Sequence, residues 1–128
     1  MNETGRRGLR KVLGFAAVVE VGTGLVLVLD PALVVALLLG ADTAGLGVLL
    51  GRFLGIALLA LGVACWPGGQ RVTLGARTLH GMLTYNALVA VFLAYVGLGG
   101  HWAGPLLWPA VALHAAVTLL LVWTWRTG

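Results

Sequence analysis

Five side chains with usable chemistry, Glu20, Arg52, Tyr85, Asn86 and His114, interrupt segments that are otherwise apolar. Together they offer a carboxylate, a guanidinium, a phenol, an amide and an imidazole, groups that pair charges, exchange hydrogen bonds and move protons. Their spacing sets them apart from scattered polar residues. At 1.5 Å per helical residue, Glu20 lies about 14 Å from the end of its apolar segment, Arg52 about 10 Å into the next, Asn86 about 15 Å from the end of the third, and His114 about 14 Å into the fourth. Each segment thus gives one strongly polar residue to nearly the same layer. Tyr85 adds its phenol beside Asn86, although adjacent helical positions point about 100° apart.

An isolated charge in hydrocarbon is costly, so Glu20 and Arg52 are expected to pair and to face the protein interior. Asn86, Tyr85 and His114 would then satisfy their remaining donors and acceptors. Such a layer has two uses. It can fix helix register with no ligand, or it can receive the polar head of a small amphipathic molecule from the outer leaflet side. A Glu–His pair could also serve proton transfer on a lipid-soluble substrate.

Other constellations are weaker. His80 and His114 could in principle hold a haem between two helices, but their depths differ by roughly 9 Å if both helices are upright. His80 is expected at an interface, bonded to a carbonyl or to Thr84. His101 stands beside Trp102 in a loop with no nearby carboxylate, a poor metal site. The one cysteine, Cys65, excludes an intrachain disulfide and any multi-cysteine cluster, and an inert thiol is the expectation. No phosphate-cradling glycine loop, no Gly-x-Ser-x-Gly and no metal-spaced pair of histidines occurs. No cofactor or metal is predicted from the residues, and no catalytic residue is assigned.

The elements that must position these groups follow from composition. Of 128 residues, 60% are hydrophobic and 9% charged, and the mean hydropathy is +1.03. Ordinary soluble domains carry roughly a quarter of their residues as charges. The chain therefore reads as an all-α integral membrane protein, a four-helix bundle forming a single domain over residues 1–128, with the lipid bilayer as its first partner. The spans are placed at about 9–29, 46–66, 77–96 and 105–125. Between the first two, Asp30 as N-cap, Pro31 at the first helical position and Gly40 as C-cap mark a short helix over 31–39. At about 15 Å it is half a bilayer core, hence interfacial or re-entrant. In the second span Gly47, Gly51 and Gly55 recur every four residues, a small-residue stripe open to a partner helix or a second copy.

Basic residues set orientation. Arg6, Arg7, Arg10, Lys11, Arg71, Arg77 and Arg126, seven of the eight lysines and arginines, fall on one side of the four spans. By the positive-inside rule that side is cytoplasmic, with both termini inside. The net charge of +4 thus reports topology, and nucleic acid is not implied. Glu20 interrupts the first apolar run and no small-residue cleavage pattern follows, so that run is read as a span and not as a signal peptide.

The basic residue before the first span, the segment Glu20-Val21-Gly22-Thr23-Gly24 running into Leu29-Asp30-Pro31, and the arginine in the second span together resemble small bacterial membrane proteins of the DoxX-like kind. The resemblance covers most of the chain in layout. It implies a bacterial cytoplasmic membrane location and an accessory role near quinone or thiol chemistry, and it transfers no catalytic residue. The sequence therefore leads to a non-enzymatic membrane protein, an accessory subunit of a membrane redox complex or a small amphipathic-ligand binder. A membrane enzyme acting on a lipid-soluble substrate, by isomerisation or by quinone or haem redox chemistry, and a small oligomeric transporter or channel are the alternatives.

Overall fold

The computed structural model describes residues 3–68 and 76–127, the side chain of Ala76 excepted. These form five helices, α1 (Glu3–Leu29), α2 (Pro31–Leu39), α3 (Leu46–Ala64), α4 (Ala76–Leu98) and α5 (Leu107–Thr127). No strand occurs among the described residues. All but α2 are long and apolar enough to cross a membrane.

The four long helices overlap the ranges expected for the spans, with shifted ends. The first helix starts at Glu3, six residues before the expected start at Leu9. Arg, Lys and Glu fail an apolar criterion but are good helix formers. Arg7 lies 3.8 Å from Glu3 one turn back, and the Arg10 guanidinium donates to the Gly68 carbonyl. Helix α3 stops at Ala64, where Cys65 closes it with its N–H on the Leu61 carbonyl at 2.9 Å, ahead of Pro67. Helix α5 begins at Leu107, because Pro105 lies in the turn that precedes it. Arg71 lies outside the described residues.

The short helix has the caps its sequence calls for. Asp30 Oδ1 accepts from the Leu33 N–H at 3.1 Å, Pro31 opens the first turn, and Gly40 closes the last one at φ 67° with its N–H on the Ala36 carbonyl. Two carbonyls of its last turn would otherwise be orphans. The α4–α5 loop satisfies them: Gly104 donates to Leu38 at 3.1 Å and Leu106 to Leu37 at 2.9 Å. A Cβ on Gly104 would collide with the Leu37 carbonyl, so glycine is needed for this approach.

Helix α1 is central. Its most extensive contact is with α3, and it also packs on α5; α4 packs chiefly on α5. The consecutive spans α3 and α4 make no comparable contact, so α3 is held along one flank by α1, with α2 touching it at one end. The α1–α3 seam is close because of glycines. A Cβ on Gly55 would come within 2.7 Å of the Gly24 carbonyl oxygen, and one on Gly62 within 2.9 Å of the Ala17 carbonyl oxygen. Part of the glycine stripe is thus used within the chain. Gly55 is covered by α1 and Gly51 sits against Pro31, whereas a Cβ on Gly47 would meet only its own neighbour Thr43. On the other flank of α1, Leu9, Leu13 and Ala16 join Leu79, Met82, Val117 and Leu121 in the main core.

Two ends can be distinguished. The α2 end carries α2, the 41–45 loop and the α4–α5 loop. At the opposite, basic end, a cavity of about 340 Å³ lies between the start of α1 and the end of α5, lined by Thr4, Gly8, Trp123, Thr124 and Thr127 among others.

Candidate functional site

Helix phase decides which polar residues meet. On α1, Ala17, Val21 and Gly24 face α3, while Leu9, Leu13 and Ala16 face the core shared with α4 and α5. Glu20 continues the second row, one turn beyond Ala16, and it is 1% exposed. On α4, Met82 and Asn86 are one turn apart on the buried face, and Asn86 is likewise 1% exposed. His114, half-buried on α5, completes the group.

The hydrogen bonds fix the chemistry of this group. Asn86 Nδ2 donates to the Met82 carbonyl at 2.9 Å, so its Oδ1 is left as an acceptor only. His114 Nδ1 lies 2.9 Å from that Oδ1 and must therefore carry the hydrogen. In a neutral imidazole this leaves Nε2 as an acceptor, with no protein partner among the described residues. Tyr85 stands edge-on to the His114 ring, centroids 5.9 Å apart and planes at 79°. Its phenol approaches the Glu20 carboxyl closely enough to interact with it. Glu20 Oε1 is buried and has no hydrogen-bond partner among the described residues.

Four of the five residues expected in the layer, Glu20, Tyr85, Asn86 and His114, are thus gathered between α1, α4 and α5. Arg52 is not, and the expected Glu20–Arg52 pair does not form. Helix α3 meets α1 through Gly55, Leu58 and Gly62, and Arg52 falls off that face, exposed, while Glu20 points to the far side of α1. Among the described residues Arg52 has neither a hydrogen bond nor an ion pair. The layer gains instead a backbone participant that residue types alone do not reveal, the Met82 carbonyl. An asparagine four residues after any helical position could have suggested it.

The two other histidines stand apart. His80 is exposed, its ring edge-on to Trp125 at 5.8 Å, in place of the expected bond to a carbonyl or Thr84. His80 and His114 therefore have different ring neighbours. His101 is exposed in its loop. Cys65 is buried, its thiol 3.9 Å from the Thr78 carbonyl. No group of three or more His, Cys, Asp or Glu suited to a metal occurs among the described residues.

Against known proteins, the chain matches no family model, no curated protein and no solved structure.

Proposed function

We propose that the chain is a four-span integral membrane protein whose interior receives the polar head of a small amphipathic molecule at Glu20. The observation that carries this reading is the buried Glu20 Oε1 without a partner. Leaving a buried acceptor unmatched costs about 1–3 kcal/mol, more for a charged group, unless something outside the chain supplies a donor. His114 Nε2 is a second free acceptor beside the same phenol. Two acceptors select a head rich in donors, an ammonium or hydroxyl group. Helices α1, α4 and α5 supply the walls, and the ligand's apolar part lies along them.

The basic end is cytoplasmic under this reading, since Arg6, Arg7, Lys11, Arg77 and Arg126 are all exposed there. Helix α2 then lies at the opposite interface, tied to the α4–α5 loop, above the layer that contains Glu20. The ligand reaches Glu20 from that side.

Native mass spectrometry of gently extracted protein tests the reading. Wild type is expected to carry a small-molecule adduct that Glu20→Ala loses and Arg52→Gln keeps. An adduct retained undiminished by Glu20→Ala would overturn it.

A further inference from the structure

We propose that Arg52 is the phosphate-holding residue of a phospholipid site on the outer flank of α3. The inference rests on the reading that the long helices cross a bilayer, and not on any ligand at Glu20.

Arg52 is exposed on a helix whose neighbouring side chains, Leu49, Phe53 and Ile56, are themselves 58–73% exposed and apolar. The carboxylates of the described residues do not reach it. Glu20 turns inward, Asp30 caps α2, Asp42 is exposed in the loop without an ion pair, and Glu3 is at the other end beside Arg7. A guanidinium left in hydrocarbon must find water or an anion.

The direction of the helix says where it finds one. Helix α3 has 19 residues, so it is about 28 Å long and nearly matches a bilayer core of about 30 Å. Arg52 is six residues beyond Leu46, the first residue of the helix, and so about 9 Å deep. Side chains on a helix lean toward its N-terminus, and the N-terminus of α3 is at the α2 end, the nearer surface. The stem therefore runs along the apolar flank and delivers the head to the boundary between chains and headgroups.

The anion present at that boundary is the lipid phosphodiester. A guanidinium presents paired N–H groups that match two phosphate oxygens, a fit an ammonium does not reproduce. A carboxylate on a partner helix would itself have to be buried in lipid before docking, whereas phosphates are already in place. Below Arg52, Ile56 and Val63 are exposed with the small, exposed Ala60 beside them, leaving an apolar strip for an acyl chain. A lipid so held would cover the flank of α3 that faces away from α1.

The test uses the full chain in phosphatidylcholine nanodiscs, titrated with phosphatidylglycerol and read by native mass spectrometry after release. Arg52→Gln is expected to hold phosphatidylglycerol about tenfold more weakly than wild type, with Arg52→Lys between them. Diacylglycerol with the same chains, which lacks the phosphate, should not compete. Equal retention by wild type and Arg52→Gln would overturn the site. Displacement by inorganic phosphate would reassign it to a free anion, and a protein released with wild type but not with Arg52→Gln would replace the lipid by a partner helix. Failure of wild type to enter the nanodisc would instead defeat the membrane reading itself.

Discussion

At the scale of single residues, the layer is an unequal network, satisfied at Asn86 and unsatisfied at Glu20. Asn86 uses Nδ2 on Met82 and Oδ1 on His114. Replacing it by Leu removes the acceptor for a partly buried imidazole N–H, and the expected loss is about 1–3 kcal/mol in thermal unfolding in detergent. Glu20 behaves oppositely. Its Oε1 has no hydrogen-bond partner among the described residues, so Glu20→Met in ligand-free protein should leave stability unchanged or raise it, while abolishing the adduct expected of wild type. A fall of more than about 1 kcal/mol would mean that the carboxyl is satisfied from within. Arg52→Gln, measured the same way after delipidation, should stay within about 0.5 kcal/mol of wild type, because it breaks no hydrogen bond or ion pair among the described residues.

At the scale of helices, the sequence was most legible where the signal is local. Asp30, Pro31 and Gly40 act within one turn of themselves, and they bound α2 where they should. Counting residues along a helix also put Glu20, Asn86 and His114 at one level, and all three lie in the group between α1, α4 and α5. Depth alone could not place Arg52, because it fixes a position along the axis and not around it. The missing angle depends on which face α3 buries, and that is set by Gly55, Leu58 and Gly62 at three- and four-residue spacing rather than by the stripe from Gly47. This seam makes its own prediction. Gly55→Val would drive a side chain into the Gly24 carbonyl and Leu27, and should cost about 1–3 kcal/mol or detach α3. Gly22→Ala, on the exposed face of the same α1 with nothing within 4 Å, should be neutral or stabilising by up to about 1 kcal/mol. Equal losses in the two variants would mean that the helices do not meet at the glycines.

At the scale of the whole molecule, hydrogen bonds tie the ends together independently of any membrane. Gly104 and Leu106 bind α2, which joins the α1–α3 connection to the α4–α5 loop, and Arg10 binds the Gly68 carbonyl near the end of α3. Four helices long and apolar enough to cross a bilayer alternate between these ends, with Asp42 and His101 at one end and Arg6 and Thr127 at the other. Because Cys65 is buried, single cysteines can be read against a quiet background. In right-side-out vesicles a membrane-impermeant maleimide should label Asp42→Cys and His101→Cys directly, and Arg6→Cys and Thr127→Cys only after permeabilisation, as the proposed orientation with the basic end inside requires. Direct labelling of Thr127→Cys together with Asp42→Cys would break the alternation, and the depths that bring Glu20, Asn86 and His114 to one layer would have to be counted from a different surface. The reverse pattern, with the basic end labelled directly, would keep the layer and the Arg52 site intact but turn both over. The phosphate held by Arg52 would then belong to the inner leaflet, and the ligand of Glu20 would arrive from the cytoplasm.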